Sequence, residues 1–195
     1  MIDSATSPVA LVPTLTSERL ILRGHRREDL SEATAMWADA NVTRHIGGRP
    51  FSEEEVWGKL LRHVGHWAVT GFGYWVVRER DTGVFVGEAG FADFRRELDP
   101  PLGGAPEVGW ALAAHAHGKG YATEAVQRAL QWSDARFGNA KTVCLIAPAN
   151  VASARVADKC GYRLARRTTY KHEAIDLYER GAAGEDLRRT GVKGG

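Results

Sequence analysis

Apolar and polar residues alternate in ways that predict several regular elements in the first half of the chain. The segment 17–24 reads as a strand, in which Leu20 and Leu22 alternate with Ile21 and Arg23. Residues 27–40 and 52–70 carry apolar side chains at spacings of three and four, which predicts two helices. Ser52 and Glu55 form a capping-box pattern at the start of the second helix. Two strand-like runs around Asp81-Thr82-Gly83 predict a hairpin over 73–91.

In the second half, strands and helices alternate. Strands are predicted over 107–113, 141–147 and 174–180, and helices over 121–132 and 150–162, the latter ending near Gly161. The hairpin followed by strand–helix alternation indicates an α/β domain with a mixed central sheet flanked by helices, antiparallel in its N-terminal part and parallel later. We expect one domain over 18–180, with a flexible leader over 1–17 and a flexible, glycine-rich and charged tail over 181–195.

Composition narrows the class of protein. The 195 residues are 44% hydrophobic and 26% charged, and 26 basic against 24 acidic residues give a formal charge of +2. This near balance argues against a nucleic-acid partner, and the absence of a long apolar run argues against a membrane partner. Two cysteines outside a CxxC pattern argue against a disulfide or zinc framework. We expect a cytoplasmic protein that needs no metal.

The stretch His117-Gly118-Lys119-Gly120-Tyr121-Ala122 sets two glycines against the start of a predicted helix. The first amides of a helix lack partners within it, and a bare backbone lets an anion approach them, so the stretch is a candidate phosphate site. It lacks the spacing of a Walker A loop, and Thr123 stands where a dinucleotide-binding loop needs glycine or alanine. On the glycines alone, a simple tight turn remains an alternative.

This stretch resembles the central motif of the GNAT acyl-CoA N-acyltransferases, Gln/Arg-x-x-Gly-x-Gly/Ala, with His117 in place of the usual first residue. The segment 150–162 is similar to a second family signature through Asn150, Ser153, Gly161 and Tyr162. The opening TSERLILRG and the strand PEVGWAL resemble the branch of the ribosomal-protein N-terminal acetyltransferases (RimJ/RimL-like). The resemblance extends from about Ser17 to Arg180.

The resemblance implies a splayed pair of parallel strands that holds acetyl-CoA as co-substrate. The pantetheine arm would pair with the main chain of Trp110, Ala111 and Leu112. The pyrophosphate would bind the amides of His117, Gly118, Lys119, Gly120, Tyr121 and Ala122. Asn150 and Ser153 would line the end where the thioester emerges.

The implied reaction is direct attack of a primary amine on the thioester within a ternary complex. Glu107 is the first candidate for the general base and Glu88 the second, although each could be a solvent-facing strand residue. Many relatives carry a tyrosine as acid seven residues after the asparagine; Ala157 stands there, so Ser153 is the replacement candidate, unless it only caps its helix.

The acceptor is left open between a protein N-terminus and a small-molecule amine, with Arg44, His45 and Arg49 as candidate recognition residues. An alternative is a non-catalytic acyl-CoA-binding sensor or partner module, and scattered arginine pairs allow an RNA-associated interpretation that the charge balance disfavours. His63 and His66 lie three apart on a predicted helix, but without a matching carboxylate we expect no metal site. The last strand could pair with a second copy in a homodimer.

Overall fold

The structure is a computed structural model, and it describes residues 12–181. In this range, eight strands and five α-helices follow one another along the chain. In chain order they are β1 (Leu15–Thr16), β2 (Leu20–Arg23), α1 (Leu30–Trp37), α2 (Ala40–Thr43), α3 (Glu53–Thr70), β3 (Tyr74–Glu79), β4 (Phe85–Ala92), β5 (Glu107–Leu112), α4 (Tyr121–Phe137), β6 (Thr142–Ile146), α5 (Val151–Lys159), β7 (Arg163–Tyr170) and β8 (Glu173–Arg180).

All eight strands form one sheet in the order β1-β2-β3-β4-β5-β6-β8-β7. The successive pairs from β1–β2 to β4–β5 are antiparallel, as are the pairs β6–β8 and β7–β8. The pair β5–β6 is parallel. The prediction of a mixed α/β sheet, antiparallel in its N-terminal part with a later parallel pair, is therefore confirmed.

Local sequence signals explain where α3 begins and ends. The Ser52 hydroxyl accepts the Glu55 amide at 3.3 Å, and the Glu55 carboxylate accepts the Ser52 amide at 2.9 Å, so the predicted capping box is present. The helix ends at Gly71, whose φ of +74° closes the last turn without the steric cost that a Cβ would bring. This helix covers one face of the sheet, and its buried stripe contains Val56, Leu60 and His63.

Two apolar layers pack on opposite faces of the sheet, and β5 contributes to both. Val108 and Leu112 belong to the layer under α4, whereas Ala111 belongs to the layer under α1 and α3. Successive side chains of a strand point to opposite faces, so Glu107 and Gly109 share the α1/α3 face with Ala111. This alternation decides which residues can meet on each side of the sheet.

The structure departs from the expected layout of the chain at two places. Two residues of the leader predicted over 1–17 belong to the sheet instead, because Leu15–Thr16 form β1 against β2 and Leu15 is only 4% exposed. Strand β7 is not predicted from the sequence: its side chains are mostly exposed and polar. Most of the predicted tail, and residues 1–11 of the leader, lie outside the described residues. Within 12–181, no helix is both long and apolar enough to cross a bilayer.

Candidate active site

Strands β5 and β6 separate soon after they meet. Over the described chain they share one register pair, Glu107 with Val143, and the Val143 amide donates to the Pro106 carbonyl at 3.1 Å. By contrast, β5 pairs with β4 along its whole length, from Glu107 to Leu112. The edge of β5 that faces β6 is therefore open beyond Glu107, where an extended ligand can lie alongside it as an added strand.

The loop that follows β5 delivers a bare backbone to the start of α4. Gly118 has φ of +75° and Gly120 has φ of +80°, a conformation that side chains with a Cβ rarely adopt. Gly120 is the N-cap of α4 and makes no side-chain cap. The first intrahelical bond runs from the Glu124 amide to the Gly120 carbonyl, so the amides of residues 121–123 lack partners within the helix. These amides and the helix dipole favour an anion.

Side chains from distant elements hold this loop in place. Arg19 donates to the Lys119 carbonyl at 3.0 Å, forms an ion pair with Glu124 at 2.6 Å and lies 4.7 Å from the Tyr121 ring centroid. The His117 imidazole donates from Nε2 to the Leu112 carbonyl at 2.9 Å. His117 therefore fastens the loop to β5, a role that does not require the glutamine or arginine usual at this position.

A cleft of about 610 Å³ opens between β5, the glycine loop and the start of α5. Of the residues predicted to bind the co-substrate, Lys119 does not line this cleft; its ammonium lies 3.9 Å from a carboxylate oxygen of Glu79. The others do line it, namely Trp110, Ala111, Leu112, His117, Gly118, Gly120, Tyr121, Ala122, Asn150 and Ser153.

The start of α5 forms the wall of the cleft across from the glycine loop. Asn150 is the N-cap of this helix, and its side-chain oxygen accepts the Ser153 amide at 3.1 Å. Ser153 is half-buried on the cleft wall. Ala157, where many relatives carry a tyrosine, is 0% exposed and packs in the core.

Glu107 is buried at the base of the split, contrary to the solvent-facing alternative. It is 6% exposed, and both carboxylate oxygens accept hydrogen bonds from Arg96, at 2.5 and 2.7 Å. The Arg96 guanidinium lies 4.8 Å from the ring centroids of both Phe94 and Tyr170. Glu107 also lines a second cavity, of about 260 Å³, formed by residues 92–96 and 101–105.

Glu88 is also buried, at 2% exposed, in a polar cluster beneath α3. One carboxylate oxygen lies 3.2 Å from His25 Nε2; the other accepts the Trp37 indole at 3.1 Å and lies 3.7 Å from His63 Nε2. Burial alone would raise the pKa of Glu88, but the contacts with His25 and His63 outweigh it and hold this pKa well below its ordinary value.

His63 therefore does meet a carboxylate, although its sequence neighbour His66 is turned toward backbone carbonyls instead. Burial lowers the pKa of His63 to about 4, so the ring is neutral at pH 7. Its Nε2 has no hydrogen-bond partner among residues 12–181. The rings of His25 and His63 are stacked, with centroids 4.8 Å apart, and each approaches a different oxygen of Glu88.

The residues predicted to recognise the acceptor are divided by the structure. Arg44 and His45 line the large cleft beside the glycine loop and α5. Arg49 is instead bound to Glu55 at the start of α3 and does not line that cleft. Cys144 and Cys160 are both buried free thiols. Burial raises the pKa of both thiols, that of Cys160 to about 11, which is the opposite of what an activated thiol nucleophile needs.

Comparison with known proteins assigns the family. The chain matches the acetyltransferase (GNAT) domain over residues 19–163, and it therefore belongs to the GNAT family. Together, the family and the fold define an acyl-CoA-dependent acetyltransferase.

Individual relatives share moderate identity with the chain. The uncharacterized protein YkkB of Bacillus subtilis (strain 168) is 32% identical over 112 residues, which are 56% of this chain and 62% of YkkB. The uncharacterized N-acetyltransferase p20 of Bacillus licheniformis is 24% identical over 170 residues, 85% of this chain and 93% of p20. A solved structure from Bordetella pertussis assigned to the GNAT family is 30% identical, with a TM-score of 0.76 over 87% of this chain and 99% of that one.

More distant structures show the fold alone. A spermidine N-acetyltransferase from Vibrio cholerae, solved with CoA and spermine, is 17% identical with a TM-score of 0.67, covering 86% of this chain and 98% of its own. An acetyltransferase from Salmonella typhimurium that modifies the N-terminal serine of ribosomal protein L7/L12 is 15% identical, with a TM-score of 0.70 and the same coverage.

Proposed function

We propose that this protein transfers an acetyl group from acetyl-CoA to a primary amine by direct attack in a ternary complex. One observation carries the proposal: the open edge of β5 and the unpartnered first amides of α4 lie on the same cleft. An extended amide-bearing arm suits the first feature, and a pyrophosphate suits the second. Acyl-CoA carries both groups, the pantetheine arm next to the thioester and the pyrophosphate next to the nucleotide.

In this arrangement the pyrophosphate binds at the glycine loop and the pantetheine arm follows Trp110–Leu112. The Leu112 carbonyl already accepts the His117 imidazole, so the arm pairs mainly with the residues before it. The cations of Arg44, Arg155 and Lys159 lie on the same cleft, where they favour the phosphates of the nucleotide end. Asn150 and Ser153 line the opposite wall.

The amine is proposed to approach from the cavity lined by Glu107. This places acceptor and donor on two cavities that share β5 as a wall. Holding the two reactants at fixed positions contributes a large part of the rate gain of such a direct attack. The volume of about 260 Å³ suits a small amine or the first residue of a protein N-terminus.

Of the two candidate bases, the contacts favour Glu107. Both carboxylates have their two oxygens engaged, but Glu88 is sealed beneath α3, whereas Glu107 lines a cavity that an amine can enter. Glu107 is therefore proposed to take the amine proton through a water molecule. Ser153, a hydroxyl on the cleft wall, is proposed to donate a hydrogen bond to the departing thiolate without giving up its proton. These roles, and the assignment to the RimJ/RimL-like branch, rest on sequence patterns and position. The homodimer and the cytoplasmic location stay predictions.

The test compares Gly120→Trp with a matched control at the other end of the same helix. Gly138, the C-cap of α4, has φ of +68° and open space around it, so Gly138→Trp introduces comparable backbone strain away from the cleft. Calorimetric titration of CoA and acetyl-CoA should show binding to wild type and Gly138→Trp, and none to Gly120→Trp. Free-thiol release is then followed with spermidine, small amines and peptides with free N-termini.

Three outcomes are informative. Binding together with thiol release by an amine supports the proposal, and the fastest amine names the acceptor class. Binding without turnover of any amine favours a sensor of acyl-CoA. If wild type does not bind CoA, or if Gly120→Trp binds as well as wild type, the glycine loop is not a pyrophosphate site and the proposal is wrong.

A further inference from the structure

Three residues stand in one row across the centre of the sheet. Tyr74 of β3 is opposite Gly90 of β4, and Gly90 is opposite Gly109 of β5. With no side chain on either glycine, the Tyr74 ring extends over β4 to β5. A Cβ placed on Gly109 would lie 1.9 Å from the Tyr74 hydroxyl oxygen. Gly109 is therefore the strand position that makes room for this hydroxyl.

The hydroxyl lies against β5 between Glu107 and the residues that line the cleft. Gly109 is two residues beyond Glu107, the point at which β6 leaves β5, and directly precedes Trp110 of the cleft wall. Gly109 and Glu107 share the α1/α3 face of β5, because residues two apart on a strand point the same way. In the proposed binding mode the thioester lies along this segment of β5, and Tyr74 then presents its phenolic O–H to it.

The buried polar cluster holds the Tyr74 ring in this position. The ring stacks on His63 with centroids 4.6 Å apart, and His63 stacks on His25, with Glu88 beside both imidazoles. Burial, together with the nearby charge of Glu107, raises the pKa of Tyr74 above its ordinary value. The phenol therefore keeps its proton at neutral pH.

We propose that the Tyr74 hydroxyl donates a hydrogen bond to the thioester carbonyl oxygen and stabilises the oxyanion that forms there. This inference rests on the proposed acetyl transfer. As the amine nitrogen bonds to the carbonyl carbon, the C=O π electrons move to oxygen and Tyr74 O–H binds that oxygen. The nitrogen, positively charged after the attack, gives up one proton to Glu107 through a water molecule. When C=O re-forms, the C–S bond breaks and the electron pair leaves with the sulfur as thiolate. Tyr74 keeps its proton throughout, because a phenol of raised pKa does not protonate a more acidic thiol.

The test is Tyr74→Phe, which keeps the stacked ring and removes only the hydroxyl. Tyr178→Phe is the matched control, since Tyr178 lies on β8 and is likewise half-buried. The carbonyl stretch of bound acetyl-CoA, labelled with ¹³C at the carbonyl carbon, reports the hydrogen bond without any acceptor. We expect the band to move to higher frequency in Tyr74→Phe alone, with the Kd for CoA unchanged.

With the fastest amine from the thiol-release panel, kcat should fall about 10²- to 10³-fold in Tyr74→Phe, the range seen when one oxyanion donor is removed. Gly109→Ala displaces the hydroxyl and should lower kcat by a similar factor. When it is combined with Tyr74→Phe, kcat should fall little further than in Tyr74→Phe alone. An unchanged carbonyl band, or kcat in Tyr74→Phe within twofold of wild type, would overturn the inference. If wild type binds acetyl-CoA yet acetylates no amine, the transfer proposal fails, while the band still decides whether Tyr74 binds the carbonyl.

Discussion

The buried His63 predicts how the stability of this protein depends on pH. The ring lies beneath α3 against Glu88, His25 and Tyr74, with Lys59 nearby, and burial lowers its pKa from 6.5 to about 4. In the unfolded chain the same ring takes a proton below pH 6.5. Between these pKa values the unfolded state binds a proton that the folded state does not bind. The free energy of unfolding is therefore highest above pH 6.5 and falls as the pH drops toward 4.

The size of the effect follows from the two pKa values of His63, one in the folded and one in the unfolded chain. A tenfold difference in proton affinity between the two states is worth about 1.4 kcal/mol, so the loss of stability reaches about 3 kcal/mol below pH 4 and is about 2 kcal/mol at pH 5. Measurement at pH 5 also avoids Glu88. The pKa of that carboxyl is lowered in the folded state, so the stability it contributes is lost only as the pH falls through and below the ordinary value of 4.5.

The assay compares wild type with His63→Gln, which cannot titrate. Urea unfolding is followed by tryptophan fluorescence at pH 7.5 and pH 5. Between these pH values wild type should lose about 2 kcal/mol more than the variant. Parallel losses in the two proteins would refute the reasoning. As a check that needs no variant, the His63 ring resonance in the NMR spectrum should not titrate above pH 5; a midpoint near 6.5 would contradict the buried, neutral imidazole.

Two further substitutions test the core and the glycine loop. Tyr162→Phe should cost about 1 to 3 kcal/mol in urea unfolding, because it leaves the buried Thr142 hydroxyl, now 2.7 Å from the Tyr162 oxygen, without a partner. Adding Thr142→Val should recover most of that loss, and a purely additive double variant would contradict the hydrogen bond. Arg19→Ala removes the donor to the Lys119 carbonyl and should weaken CoA binding in calorimetry, with little change in thermal stability. Unaltered affinity would mean that the loop keeps its shape without Arg19.

Several elements that build the candidate site can be predicted from the sequence, because the signals for them lie within a few residues of one another. Ser52 and Glu55 lie three residues apart and cap α3 as predicted. The two glycines before α4 have positive φ, and their spacing in the sequence predicts the loop. Strands with clear alternation, such as β2, can likewise be predicted from the sequence. Strand β7 cannot, since an exposed edge strand buries too little surface to require alternating apolar residues.

Only the tertiary structure decided what surrounds each site residue. The sequence offers Glu107 as a candidate base, but only the folding of the loop after β4 brings Arg96 onto both of its oxygens. Gly109 offered one clue, because a glycine inside a strand often marks a close approach by another group.

What approaches Gly109 is Tyr74, and the two meet because β3, β4 and β5 pair in one register. Periodicity and capping depend on neighbours along the chain, so the sequence determined the elements and the glycine loop. The partners of Glu88, Glu107 and Tyr74 come from strands and helices far apart in sequence, and packing against the sheet alone brings them within reach.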